Sequence, residues 1–274
     1  MVTLTDTDLA AYRRDGYLAP LPLLTRDEAA TALAGLEDFE RDFGERAGFI
    51  LRHKCHLVLT WADAMVHHPR VLDAVASVLG PNLLCWATSF FIKNARDPAF
   101  VSWHQDSEYW GLDQIENTVS VWIALTPSRV ENGCLRIVPG THTAMLEHHK
   151  IPDANNMLNH NQHVAVNEAD AVDLIMAPGE ACLFHTLAVH GSNPNPSDGR
   201  RIGFAIRYIK PSCRQLVEEH DSAMLVRGDD THGHFTLEPR PRTNAAPEAL
   251  ALQQRIFETK DGGLYKARAP DAPG

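Results

Sequence analysis

The apolar positions change period partway along the chain. Up to about residue 80 they recur at helical spacing, and from residue 83 they fall into short runs of alternating character. In the first part, Leu9, Ala10 and Tyr12 precede Gly16, a residue suited to closing a helix. Thr25-Arg-Asp-Glu28 reads as a capping box ahead of an Ala/Leu-rich helix reaching about residue 43. Pro69 suits a first helical turn and Gly80 a terminus, which predicts a helix over 69–79. A last helix is predicted over about 246–257, with a loose tail after Asp261.

Between these lie runs rich in β-branched and aromatic residues, at 83–92, 118–126, 134–138, 172–176, 181–185 and 201–209. Glu-Asn-Gly at 131–133 and Pro-Gly at 139–140 and 178–179 punctuate them as turns. No strong helix separates the strands, so a Greek-key barrel or jelly roll is expected rather than a βαβ fold. The chain reads as one domain: a helical part over about 1–80, a barrel over about 83–210, and a rim and tail over about 211–274. The polar connection at 141–171 has the length of a binding loop or lid.

Strand parity picks out the chemistry. In 201–209, Ile202, Phe204, Ile206 and Tyr208 form one apolar face, and Arg201, Gly203, Ala205 and Arg207 form the other. Two arginines separated by small residues leave room beside each guanidinium for a carboxylate held by parallel hydrogen bonds. The same face also suits a strand half exposed to water. Parity puts the neighbouring Arg200 on the apolar side. In 118–126 the residues Thr118, Ser120, Trp122, Ala124 and Thr126 share a face, as expected of an interior that holds a polar ligand.

Composition narrows the partners. The 274 residues include 44% hydrophobic ones, enough for a full core, and carry a formal charge of −10. No basic cluster is long enough to track a phosphate backbone, so neither nucleic acid nor an anionic membrane is expected as a partner. Apolar runs are too short to span a bilayer, and the N-terminus lacks the basic start and apolar core of a signal peptide. The five cysteines include no Cys-x-x-Cys pair, which fits reduced thiols in the cytoplasm and not a four-cysteine zinc site.

The 15 histidines invite a search for metal ligands. In an extended segment His104 and Asp106 point to the same side, and His190 ends a later strand. Two histidines and one carboxylate take one face of an octahedron and leave three positions for a bidentate cosubstrate and O2, the pattern of non-haem iron(II) oxygenases. Zinc hydrolases use the same ligand types. Arg201, eleven positions after His190, favours iron with a keto-acid cosubstrate.

Several stretches together resemble the phytanoyl-CoA dioxygenase family: Trp-His-Gln-Asp at 103–106, Glu-Asn-Gly-Cys-Leu-Arg-Ile-Val-Pro-Gly-Thr-His at 131–142, Pro-Gly-Glu at 178–180, and His-Gly-Ser-Asn-Pro-Asn-Pro-Ser-Asp-Gly-Arg-Arg at 190–201. Trp122 with Ala124 and Leu125, and Tyr-Arg-Arg-Asp-Gly-Tyr-Leu at 12–18, extend the likeness over about 8–210. The resemblance implies a double-stranded β-helix with flanking helices, and Fe(II) held by His104, Asp106 and His190. It implies 2-oxoglutarate held by Arg201 with Ser192 and Trp122, with Lys93 and Thr118 as further contacts. Gln105, Tyr109 and Trp110 are then placed beside the substrate, and Arg207 and Asn156 are further candidates there. The implied reaction consumes O2 and 2-oxoglutarate, releases succinate and CO2, and hydroxylates or desaturates a small metabolite or natural-product intermediate. Related halogenases carry a small residue in place of the aspartate; Asp106 argues against chlorination. Two other readings stay open: a cupin-like metal hydrolase or isomerase that does not use 2-oxoglutarate, and a non-catalytic binding barrel.

Overall fold

A computed structural model of the protein describes residues 3–158 and 161–259. Its helices are α1 (Asp6–Asp15), α2 (Arg26–Phe43), α3 (Ala47–Arg52), α4 (Thr60–Val66), α5 (Pro69–Leu79) and α6 (Pro247–Thr259). Its strands are β1 (Tyr17–Pro22), β2 (Leu83–Lys93), β3 (Val101–His104), β4 (Thr118–Ala124), β5 (Leu135–Ile137), β6 (His149–Lys150) and β7 (Gln162–His163), followed by β8 (Val172–Leu174), β9 (Glu180–His185), β10 (His190–Ser192), β11 (Arg201–Ile209), β12 (Ser222–Arg227) and β13 (Thr236–Leu237).

The capping box forms as predicted. The Thr25 hydroxyl accepts from the Glu28 amide at 3.1 Å, and the Glu28 carboxylate accepts from the Thr25 amide at 2.6 Å. Ala29, Ala32, Leu36 and Phe39 then recur every third or fourth position and bury one face of α2. Gly16 closes α1 with φ +83°, a conformation a side chain would strain. The helix predicted over 69–79 forms with those bounds as α5.

Two sheets make the body. The larger has the order β1-β9-β4-β11-β2-β12-β13 and the smaller β3-β10-β5-β8. All pairings are antiparallel except β12 with β13. The helices cover the outer face of the larger sheet, where Ile202, Phe204, Ile206 and Tyr208 join Val119, Val121 and Ile123 in the main core. Its inner face meets the smaller sheet through Trp122, Cys182, Phe184 and Ala205 against Leu135, Ile137 and Leu174. This is a jelly roll of mostly antiparallel strands with flanking helices. It is not a closed barrel: among the described residues no strand pairing joins the two sheets. The twist of facing sheets leaves a cavity between them.

The sheets exceed the predicted barrel at both ends. β1, in the helical part, pairs with β9, and β12 and β13 extend the sheet beyond residue 210. β1 escaped notice because Pro20 and Pro22 break its ladder signal, which an edge strand tolerates. The tail after residue 261 lies outside the described residues. No helix among the described residues is long and apolar enough to cross a membrane.

Thr25→Ala removes the hydroxyl half of the capping box. It should lower stability by about 1 kcal/mol in urea unfolding, whereas an unchanged midpoint would mean the cap is redundant.

Candidate metal and cosubstrate site

Strand register brings the two histidines together. His190 on β10 lies directly opposite His104 on β3, and their rings approach to 4.1 Å between centroids. Gly191 permits this close pairing, because a Cβ there would stand 2.9 Å from the Val101 carbonyl. Each imidazole donates its Nδ1 hydrogen to a backbone carbonyl two residues earlier, His104 to Ser102 and His190 to Ala188, both at 2.9 Å. Both Nε2 lone pairs are thereby turned inward. Phe184 packs on the His190 ring at 4.7 Å.

Asp106 completes the group, but not from an extended strand. β3 ends at His104, Gln105 remains extended, and Asp106 opens a short 3₁₀ turn, Asp106–Tyr109. One extended residue is enough to put His104 and Asp106 on the same side. An Asp106 oxygen lies 3.5 Å from His104 Nε2, and its other oxygen accepts from the Ser120 hydroxyl at 2.9 Å. Ligand atoms of His104, Asp106 and His190 all fall within 4.8 Å of one another. Burial disfavours the Asp106 carboxylate, but the adjoining His104 ring and the charge of Arg207 outweigh it and hold its pKa below the ordinary value. Burial, reinforced by His104, pushes the His190 imidazole down to about 3 and keeps it neutral. Two imidazole nitrogens and a carboxylate oxygen facing one point fit a divalent transition metal.

Every residue of β11 is buried, so its polar face meets the cavity and not water. Arg200 points outward to Glu40 at 2.7 Å, as parity requires. The Arg201 guanidinium bonds the Gly133 carbonyl at 3.1 Å, the Phe91 carbonyl at 3.3 Å and the Ser192 hydroxyl at 3.3 Å, and lies 5.5 Å from the Trp122 ring. None of these partners is an anion. Burial lowers the Arg201 pKa to about 10, which leaves it charged. Lys93 sits beside it and donates to Ser192 at 2.6 Å and to the Asn193 carbonyl. Burial first, then the charge of Arg201, pushes the Lys93 ammonium down to about 6. Arg201, buried and charged with no carboxylate bonded to it, can receive an anion there, with the Lys93 amine beside it. Trp122, Ser192 and Arg201 line the same cavity as His104, Asp106 and His190.

Other predicted contacts fall elsewhere. Thr118 lies at the far end of β4, opposite Ile209, and its hydroxyl is engaged with Ile115 and Thr186. Gln105 points away from the cavity: its amide donates to Ala144 at 2.8 Å and Leu187 at 2.6 Å and accepts from Leu146 at 2.7 Å, tying down the following loop. Trp110 packs against Trp86 at 5.1 Å in a separate apolar cluster. A register shift between β2 and β11 at Arg207 and Tyr208 turns Trp86 toward that cluster. Asn156 binds Ser102 at 2.9 Å and acts as a tether, setting its neighbours Met157 and Leu158 into the cavity wall. Arg207 does line the cavity. The side chain of Tyr109 lies outside the described residues.

Sequence reasoning missed Arg52, Phe91 and Phe184 in the cavity wall and Ser120 on Asp106. Parity on 118–126 already grouped Ser120 with Trp122, but nothing local links Arg52 at the end of α3 to the site.

A jelly roll with two histidines and an aspartate facing one point between its sheets has the architecture of a non-haem metal oxygenase. The chain belongs to the phytanoyl-CoA dioxygenase (PhyH) family, whose sequence pattern matches residues 12–203. Bovine peroxisomal phytanoyl-CoA dioxygenase is 30% identical over 165 residues, covering 56% of this chain and 48% of the relative. The chain thus spans about half the length of such curated relatives. The non-heme monooxygenase ThoJ in its apo form superposes with a TM-score of 0.82 at 38% identity, over 91% of this chain and 94% of ThoJ. CytC3 with Fe(II) and alpha-ketoglutarate shares the fold, with a TM-score of 0.66 at 24% identity, over 89% of this chain and 95% of CytC3.

Gly203 lies under the Trp122 indole, where an added Cβ would run into the ring. Gly203→Ala should displace Trp122 and destabilise the fold by about 1–3 kcal/mol. Urea unfolding followed by tryptophan fluorescence checks this; wild-type stability and emission would contradict it.

Proposed function

We propose that the protein is an Fe(II)- and 2-oxoglutarate-dependent oxygenase that hydroxylates or desaturates an unactivated C–H bond of a small metabolite or natural-product intermediate. The observation that carries this is the convergence of His104, Asp106 and His190 with a buried, anion-free Arg201 in one cavity. Bound there, Fe(II) and 2-oxoglutarate supply the chemistry: O2 is reduced as the keto acid loses CO2 to give succinate, and one oxygen serves to oxidise the substrate. His104, Asp106 and His190 would hold the metal, a three-ligand set that would leave positions for cosubstrate and O2.

Arg201 receives the distal carboxylate, and Ser192, fixed by Lys93, contributes a hydroxyl beside it. Trp122 and Leu135 wall this end against water. Ser120 fixes the orientation of Asp106. Because Asp106 fills the third protein ligand position, the site favours oxygen transfer over chlorination. The likeness to ThoJ supports the monooxygenase reading. A hydrolase or isomerase leaves Arg201 without a role. Five free, buried cysteines favour a reducing compartment such as the cytoplasm.

Anaerobic addition of Fe(II) and 2-oxoglutarate should produce the charge-transfer absorption of the chelate. Asp106→Ala should abolish it together with succinate formation. Arg201→Gln should weaken 2-oxoglutarate binding by about 100-fold or more, since charge-assisted hydrogen bonds contribute about 1.5–3 kcal/mol each. Absence of the band, or unchanged affinity in Arg201→Gln, would overturn the assignment.

A further inference from the structure

A second pair of cations enters the cavity away from Arg201. Arg207 is six positions along β11, about 20 Å at the extended rise. It is buried, and its guanidinium lies 5.8 Å from the Phe91 ring. Arg52, the last residue of α3, reaches the same ring at 5.5 Å. Burial, then the charge of Arg207, lowers the Arg52 pKa, so the two guanidiniums share one low-dielectric region.

Neither has an acidic partner. Arg52 donates to the Met157 carbonyl at 2.7 Å, and Arg207 makes no hydrogen bond or ion pair with any described residue. The acid whose charge reaches Arg207 is Asp106, already bonded to Ser120 and assigned to the metal. Around the pair, Ser89 donates its hydroxyl to the Arg52 carbonyl at 2.9 Å, and Val101, Met157 and Leu158 supply apolar wall.

The charge balance identifies what is missing. Two charges on iron match the two carboxylates of 2-oxoglutarate, and Asp106 offsets one of the three cavity guanidiniums. Two positive charges therefore remain in the loaded site, one buried on Arg207 and one half-buried on Arg52, at the end that 2-oxoglutarate does not fill. Buried charges of this kind are stable only when paired.

We infer that Arg52 and Arg207 form a substrate-recognition clamp for a carboxylate, so that the substrate is a small organic acid. This rests on the functional reading above. Planar guanidiniums match the planar carboxylate through parallel N–H···O bonds. The apolar part of the acid lies along Phe91, Met157 and Leu158, which directs a C–H bond toward the point shared by His104, Asp106 and His190.

The test uses arginine Nε–Hε NMR signals of the full chain loaded with redox-inert zinc(II) and 2-oxoglutarate, assigned with Arg52→Lys and Arg207→Lys. Acetate, small enough to enter any carboxylate site, should shift the Arg52 and Arg207 signals along one saturation curve, and acetamide should not. Arg207→Lys should weaken the acetate response of Arg52 at least tenfold. The clamp is refuted if acetate moves neither signal. It is equally refuted if inorganic phosphate binds there more tightly than acetate, or if 2-oxoglutarate itself saturates both signals and leaves acetate without effect. Failure of the underlying oxygenase reading is a separate result: the Arg201 signal would not respond to 2-oxoglutarate.

Discussion

The structure depends on burying positive charge between two sheets without a matching number of acids. Arg201 and Arg207 sit on the inner face of β11, Arg52 enters from α3, and Asp106 is the carboxylate that faces them in the cavity. Two of the three guanidiniums keep part of their hydrogen bonding, and Arg207 lies against the Phe91 ring. Arg201 is held by two backbone carbonyls and a hydroxyl, and Arg52 by one carbonyl. Those bonds satisfy donors but do not neutralise charge, so the cavity favours anions.

The same sheet geometry sets the metal position. His104 and His190 are cross-strand partners in the smaller sheet, while Ser120 reaches Asp106 from the larger one. The triad is therefore anchored on both walls. Arg201 stands on the wall facing His190, with Ser192, two residues after that histidine, touching its guanidinium. The proposed metal ligands and anion receptor are thus coupled through β10, a strand of three residues.

Much of this was legible in the sequence because it follows from period and punctuation. Alternation along 201–209 separated the core face from the cavity face, and Pro69 with Gly80 bounded α5. The triad was legible because a single extended residue, Gln105, separates His104 from Asp106. What failed needed knowledge of distant partners. Gln105 and Asn156 carry polar amides that looked available, yet their hydrogen bonds are spent on partners 36 to 82 residues away. Trp110 was drawn from the site by Trp86, and that pairing hinges on a register shift that alternation alone does not reveal. Thr118 shares a face with Trp122 but lies too far along β4 to reach Arg201. Arg52 joins the cavity only through tertiary packing of α3 against β2.

The most direct test is the crystal structure of the protein soaked without O2 in Fe(II) and 2-oxoglutarate, with iron located by anomalous scattering. The account predicts iron bound by Nε2 of His104, Nε2 of His190 and the Asp106 carboxylate, with the distal carboxylate of 2-oxoglutarate on Arg201. Iron bound elsewhere, or a cosubstrate whose distal carboxylate avoids Arg201, would contradict it.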